Sequence, residues 1–179
     1  MITILSGTNR EGSNTLAVAR LVDSYLRELG RETTLLDLRE LPPGLFTPGA
    51  YAEKPEAFKR FTDAVLSSEG LVVVSPEYNG GFPGVLKYFI DMLPFPESFQ
   101  DRPVCFVGLS AGQWGALRPV EQLQQIFGYR NAHIFPRRTF LPGIGGLLDE
   151  EGNLTDADSA ERLKQQAAGY VKFLDQLHR

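Results

Sequence analysis

The sequence is poor in the residues that many enzymes use for their chemistry. It contains one cysteine, Cys105, and two histidines among 179 residues. A lone cysteine excludes a disulfide within the chain and is typical of a reducing compartment. No apolar run approaches the roughly 18 residues that a membrane-spanning helix needs, and the chain starts with a strand-like segment rather than a secretory leader. We therefore expect a cytoplasmic protein with no membrane partner.

An excess of basic charge is also missing. Lysine and arginine total 18 against 22 aspartates and glutamates, which gives a formal net charge of −4. Nucleic acids and anionic membrane surfaces attract basic patches, so neither is expected as a partner. The length of the chain and its 42% hydrophobic residues predict a single domain over residues 1–179.

The sequence does contain a regular alternation of strand-like and helix-like segments. Apolar runs predict strands at residues 2–6, 32–38, 70–75, 104–109 and 131–135. Apolar residues at helical spacing predict helices at residues 16–29, 57–67, 84–93, 114–127 and 160–177. Apolar strands that alternate with helices indicate a parallel sheet covered on both faces. Five strands in a chain of this size favour an α/β, flavodoxin-like three-layer sandwich with strand order 2-1-3-4-5.

The first strand runs into a loop rich in hydroxyl and amide side chains. Residues 6–15 read SGTNREGSNT, and a helix is predicted directly after them. Backbone N–H groups at a helix start, with the positive end of the helix dipole, favour binding of an anion. A helix cap needs only one or two of these side chains, so the whole set predicts a phosphate site. Its candidate ligands are Thr8, Arg10, Ser13, Asn14 and Thr15.

Two common phosphate loops do not fit this segment. The dinucleotide pattern G-x-G-x-x-G is absent, although Gly7 and Gly12 have the spacing of the Walker A motif. Ser13 stands where that motif requires the lysine that contacts the β- and γ-phosphates. The loop therefore indicates a terminal monophosphate bound where the strand order of an open sheet reverses.

A second loop leaves the third strand at its carboxyl end, where ligands bind in such sheets. Residues 76–84 read PEYNGGFPG. Glycines and prolines at this density predict a shaped loop whose backbone can approach a flat ring closely. Tyr78, Asn79 and Phe82 add aromatic and amide groups to that wall.

Both loops carry a resemblance to one known family. The string PEYNGGFPGVLKYFIDML at residues 76–93 resembles the signature of the NADPH-dependent FMN reductase family, and TNREGSNT at residues 8–15 is similar to its phosphate loop. In order and spacing, the resemblance covers nearly the whole chain. It implies a flavodoxin-like fold, FMN bound without a covalent link, NADPH or NADH as co-substrate, and homodimers or homotetramers.

The resemblance also implies which residues bind FMN. The expected phosphate contacts are Thr8, Arg10, Ser13 and either Asn14 or Thr15, because Thr15 occupies the position of the family's asparagine. The segment expected along the isoalloxazine ring comprises Pro76, Glu77, Tyr78, Asn79 and Gly80. A third ligand loop comprises Ser110, Ala111, Gly112 and Gln113. No side chain is expected to act as a catalyst or to bind a metal, because the cofactor carries the chemistry.

The function implied is an FMN-dependent NAD(P)H oxidoreductase. Hydride would pass from NAD(P)H to FMN, and electrons would then pass to a small-molecule acceptor such as a flavin, quinone, azo compound or metal oxyanion. A flavodoxin-type electron carrier on the same fold is a second interpretation. A serine hydrolase is a third, because residues 108–112 fit G-x-S-x-G between a strand and a helix. Its triad would be Ser110, Asp149 and His178.

Overall fold

The computed structural model describes residues 1–177, which are arranged around a parallel sheet. The strands are β1 (Ile2–Ser6), β2 (Thr33–Asp37), β3 (Gly70–Pro76), β4 (Pro103–Ser110), β5 (His133–Ile134) and β6 (Thr139–Pro142). The α-helices are α1 (Asn14–Glu28), α2 (Lys59–Leu66), α3 (Gly84–Met92), α4 (Leu117–Tyr129) and α5 (Ala157–Leu177). None of the helices within residues 1–177 has the length and apolarity that a bilayer crossing requires.

The strand order confirms the predicted fold. The strands follow the order β2-β1-β3-β4-β5, with β6 also paired to β4, and all pairings are parallel. The chain leaves β1 toward one edge of the sheet and β3 toward the other, so the order reverses between these two strands. This is the flavodoxin-like topology, and it leaves a crevice between the loops that follow β1 and β3.

Helices cover both faces of the sheet, as the uniformly apolar strands indicated. On one face, α2, α3 and α4 bury Phe61, Phe89 and Phe127. On the other face, α1 and α5 bury Leu26 and Tyr170. Full burial of an apolar side chain contributes roughly 1.5–3 kcal/mol relative to exposure. These two apolar layers stabilise the sheet, and the loops at its carboxyl edge can therefore carry polar groups.

The predicted fifth strand is wrong in its extent. In place of one strand at residues 131–135, β5 pairs with Pro103 and Val104, and β6 pairs farther along with residues 107–110 of β4. The carbonyl oxygens of Arg102 and Val104 accept from the N–H groups of His133 and Phe135, but the ladder is then interrupted at residues 136–138, which belong to neither strand. Gln166 of α5 compensates, because its Nε2 donates to the carbonyl oxygens of Phe106 at 2.8 Å and Arg137 at 3.0 Å.

The fourth helix also begins later than predicted. Trp114 was expected to start it, but α4 begins at Leu117. The preceding residues Gly115 and Ala116 both have positive φ, 55° and 72°. This left-handed backbone is incompatible with a continuous right-handed helix. Trp114 therefore lies in a loop, with 52% of its surface exposed.

Candidate cofactor site

Three loops follow β1, β3 and β4 at the carboxyl edge of the sheet. We call residues 7–13 the first loop, residues 77–83 the second loop and residues 111–116 the third loop. Since the three strands are neighbours, their loops meet around one cavity of about 280 Å³. The predicted site residues that line it are Arg10, Ser13, Asn14, Thr15, Pro76, Glu77, Tyr78, Ser110 and Ala111.

The structure also shows what the sequence interpretation missed. Gly12, Leu109 and Ile144 line the cavity as well. Leu109 is the residue before Ser110 on β4, and Gly12 was visible as part of the glycine spacing in the first loop. Ile144 carried no local signal, because it lies outside the three loops in which ligands were expected.

Five predicted site residues do not line the cavity, namely Thr8, Asn79, Gly80, Gly112 and Gln113. Each lies in or beside a loop that does. Asn79 and Gln113 are exposed at the rim, whereas Thr8 is fully buried beneath it. We therefore call the predicted residues that line the cavity its wall, the exposed Asn79 and Gln113 its rim, and the buried Thr8 its floor.

The first loop leaves backbone donors available at the start of α1. The Ser13 hydroxyl caps the helix by accepting from the Leu16 N–H at 3.4 Å. No backbone carbonyl within residues 1–177 accepts from the N–H groups of Gly12, Ser13 or Asn14. Together with the exposed guanidinium of Arg10, these donors form a set that suits a phosphate at a helix start.

Gly7 fixes where the first loop leaves the sheet. Its N–H donates to the carbonyl oxygen of Val74 on β3 at 2.9 Å. A Cβ atom at Gly7 would lie 2.8 Å from that oxygen and 3.0 Å from Leu86 Cδ2. Only glycine fits this close approach between the first loop and β3.

The second loop is closed by its own backbone. The N–H of Tyr78 donates to the Gly81 carbonyl at 2.8 Å, and the N–H of Gly81 donates to the Tyr78 carbonyl at 3.0 Å. Asn79 and Gly80, between them, have φ values of 52° and 78°. Positive φ at both central positions defines a type I′ turn, for which Asn-Gly is the preferred pair.

Three polar contacts anchor this turn to its surroundings. The Tyr78 hydroxyl lies 2.8 Å from Thr8 Oγ1 in the first loop. Glu77 donates its N–H to the Leu109 carbonyl at 3.2 Å, and its Oε1 lies 3.2 Å from Nη1 of Arg118 on α4. The second loop is thus attached to both neighbours of β3, and it presents a fixed wall of backbone and aromatic groups.

The third loop is held against β6. A Cβ atom at Gly115 would lie 2.9 Å from the backbone nitrogens of Leu141 and Pro142. This contact and the left-handed backbone at residues 115 and 116 turn the loop before α4 begins. Ser110, at the end of β4, donates its hydroxyl to the Gly112 carbonyl at 3.0 Å.

The serine hydrolase interpretation finds no support in this geometry. The four non-glycine residues of positive φ in the described part of the chain are Asn79, Asp101, Ala116 and Asn131. Ser110 is not among them, so it lacks the strained backbone of a nucleophile elbow. Its hydroxyl is used within the third loop rather than presented to a base.

The candidate triad partners of Ser110 are placed elsewhere or are outside the described residues. The other histidine of the chain, His133, was not expected in the triad, and it pairs with Pro103 at the opposite end of β4, about 23 Å from Ser110 at the rise of a strand. Asp149 accepts from the Asn153 N–H at 2.7 Å, and this backbone hydrogen bond lowers the pKa of its carboxyl. His178 lies outside residues 1–177. Cys105 is no alternative nucleophile, because it is buried in β4 and burial raises the pKa of its thiol.

Sequence comparisons identify similar proteins of known activity. The sequence model of one family, described as NADPH-dependent FMN reductase, matches residues 1–145. The chain is 29% identical to NAD(P)H-dependent FMN reductase PA1204 of Pseudomonas aeruginosa, over 90% of this chain and 88% of that protein. It is 26% identical to an NADPH azoreductase from a Bacillus species, over 98% of this chain and 97% of that protein.

Solved structures show the same fold. FerB from Paracoccus denitrificans, a flavoenzyme NAD(P)H:(acceptor) oxidoreductase, superposes with a TM-score of 0.80 at 22% identity, covering 98% of this chain and 97% of FerB. A flavodoxin from Streptococcus pneumonia TIGR4 gives a TM-score of 0.61 at 15% identity, covering 96% and 97%. At these identities the similarity is one of architecture.

Proposed function

The chain belongs to the NADPH-dependent FMN reductase family, and we propose that the cavity between its three loops is where it binds FMN. The protein is accordingly an enzyme, an FMN-dependent NAD(P)H oxidoreductase. One observation supports this placement of the cofactor above the others. Residues from all three loops line a single cavity, which has helix N–H donors on one side and the closed second loop on the other.

The residues around the cavity fit the two chemical parts of FMN. The donors of Gly12, Ser13 and Asn14 and the guanidinium of Arg10 suit a phosphate, since hydrogen bonds between charged partners are the strong ones. The type I′ turn and the carboxyl end of β3 present backbone groups and the Tyr78 ring, which suit a flat polar ring system. Asn14 and Thr15 both line the cavity, and Asn14 is the more accessible of the two for the phosphate, because Thr15 is only 2% exposed.

Bound FMN supplies the hydride and electron transfer between NAD(P)H and a second acceptor. The role of the protein is to hold and orient the reactants. The first loop binds the charged end, and the second loop fixes the plane of the ring. Residues 111–114 of the third loop, Trp114 among them, are exposed, and NAD(P)H and then the acceptor would approach the ring from this loop.

Small molecules are the proposed acceptors, with flavins, quinones and azo compounds as the first classes to test and metal oxyanions as a further one. The names of the similar proteins, an FMN reductase, an azoreductase and quinone reductases, support these classes. We also propose one flavodoxin-like domain for the whole chain, a cytoplasmic location, and a homodimer or homotetramer. Light scattering on the purified protein measures the oligomeric state.

The decisive experiment follows oxidation of NADPH and NADH by the FMN-loaded protein, with a quinone, free FMN and an azo dye offered separately. Turnover with at least one acceptor is expected. Binding of FMN without any oxidation of either nucleotide would instead indicate the flavodoxin-type electron carrier. Failure to bind FMN at all contradicts the proposed site.

Arg10→Gln tests the phosphate end of the site. Loss of a hydrogen bond to a charged group costs about 1.5–3 kcal/mol, so FMN affinity should fall by about tenfold to a hundredfold. The loss should shrink as salt is raised, because salt screens an exposed charge. Arg27→Gln is the matched control, since Arg27 is an exposed arginine in the last turn of α1, pairs with Asp23 and does not line the cavity.

A further inference from the structure

Thr8 is the one predicted phosphate ligand that the structure places beneath the cavity. Its exposed fraction is 0%, and it is not part of the cavity lining. Its neighbours in the first loop, Asn9 and Arg10, are exposed. A ligand entering the cavity finds no accessible surface on Thr8.

The hydroxyl of Thr8 is already used within the protein. Thr8 Oγ1 lies 2.8 Å from the Tyr78 hydroxyl, and it accepts from the Arg10 N–H at 3.3 Å. A buried hydroxyl without a hydrogen-bond partner is destabilising, because it has lost its bonds to water. Thr8 and Tyr78 satisfy each other, although they are separated by 70 residues in the chain.

The Thr8–Tyr78 bond joins the two loops that would hold opposite ends of one ligand. The backbone of Tyr78 is held in both directions by Gly81, so its ring and the type I′ turn behave as one unit. Fixing the Tyr78 hydroxyl to Thr8 therefore fixes that unit relative to the first loop. Small errors in the distance between the two parts of a site cost binding, because the ligand or the loop must then deform.

We propose that Thr8 is a positioning residue that acts on FMN through Tyr78 rather than by contact with the phosphate. Its hydroxyl sets the spacing between the phosphate donors of the first loop and the ring platform of the second loop. This assignment rests on the proposed function, because FMN is the ligand that presents a phosphate to one loop and a ring to the other.

Riboflavin, which lacks the phosphate, separates a positioning role from a phosphate contact. Binding of FMN and riboflavin should be titrated by flavin fluorescence against wild type, Thr8→Val, Tyr78→Phe and the double variant. A net hydrogen bond of about 0.5–1.5 kcal/mol predicts a loss of roughly twofold to tenfold in each single variant. The loss should be equal for the two flavins, and the double variant should be no worse than the worse single variant, because one bond is lost in all three.

Two further variants calibrate the measurement. Arg10→Gln should lower the affinity for FMN but not for riboflavin, which shows that the assay detects a phosphate contact. Thr8→Ser keeps the hydroxyl and should restore most of the affinity. If Thr8→Val does not fold, Tyr78→Phe alone carries the comparison of the two flavins.

Three results overturn the proposal. They are a loss in Thr8→Val or Tyr78→Phe that is confined to FMN, losses that multiply in the double variant, and unchanged binding of both flavins in both single variants. A wild-type protein that binds neither flavin contradicts the proposed function instead, so the two failures are distinguishable.

Discussion

The first and second loops lie side by side, yet their backbones are organised in opposite ways. The first loop leaves consecutive N–H groups at residues 12–14 without backbone acceptors in the described part of the chain. The second loop closes on itself through two reciprocal hydrogen bonds between Tyr78 and Gly81. The N–H donors of the first loop would find their acceptor in a bound anion, whereas the hydrogen bonds of the second loop are formed without a ligand.

This contrast indicates a division of labour between affinity and geometry. Free donors at a helix start supply binding energy to a phosphate. A closed turn supplies a surface whose shape does not depend on the ligand, and such preorganisation lowers the cost of binding. Variants in the two loops should therefore fail in different ways, which gives the following tests in order of expected effect.

The largest effect is expected from Gly7→Val, which removes the junction of the first loop with the sheet. Its Cβ would lie 2.8 Å from the Val74 carbonyl oxygen, and overpacking of this kind costs about 1–3 kcal/mol. Thermal unfolding should occur at a temperature lower by about 2–12 °C, and FMN binding should be lost. Gly49→Val is the matched control, because nothing lies within 4 Å of its Cβ position, its φ lies outside the left-handed region and it does not line the cavity. Equal unfolding temperatures for Gly7→Val and wild type contradict this view of the junction.

A smaller effect is expected from Gly80→Ala in the second loop. At a φ of 78°, a Cβ costs roughly 1–2 kcal/mol in backbone strain, so both stability and FMN affinity should decrease. Gly84→Ala is the control, because its Cβ meets nothing within 4 Å and its φ lies outside the left-handed region. Chemical denaturation and FMN titration measure the two losses. An identical response of the two alanine variants would show that the type I′ turn is not required.

The smallest effect is expected from Arg118→Gln, which removes the ion pair of Glu77. Arg118 is 56% exposed, and exposed ion pairs contribute about 0–1 kcal/mol. FMN affinity should change by less than about fivefold, and the difference should disappear at high salt. Arg60→Gln is the charge-matched control, because Arg60 pairs with Glu40 away from the site. A loss of a hundredfold would mean that Arg118 contacts the ligand directly.

The sequence predicted most of the fold because its signals are local. The strand at residues 2–6 has the bounds that were expected, and the helices α1 and α3 begin and end within two residues of their predicted limits. Apolar periodicity reports which residues face the sheet, and that suffices for order and layers. Errors arose at residues 131–135 and at Trp114. At these two places the backbone conformation depends on contacts between residues far apart in the chain. They are the pairing of β5 with β4 and the close packing of Gly115 against Leu141.

The candidate site was predictable only in part. The phosphate loop and the Asn79-Gly80 turn carry their own signals in glycine and hydroxyl residues, so both were found. Ile144 was not found, because its place in the cavity wall depends on how a distant loop folds back. The same holds for Thr8, whose residue type predicted a phosphate contact and whose burial beneath Tyr78 points to another role.

The sequence by itself determined the alternation of strands and helices, the positions of the three loops and the family. These properties depend on periodicity, spacing and residue type, all of which are given by the order of residues in the chain. Tertiary structure alone decided which loop residues form wall, rim and floor, and which hydroxyl is free for a ligand. The physical reason is that a hydrogen bond such as the one between Thr8 and Tyr78 depends on the strand order, which brings residues far apart in the chain within 2.8 Å of each other.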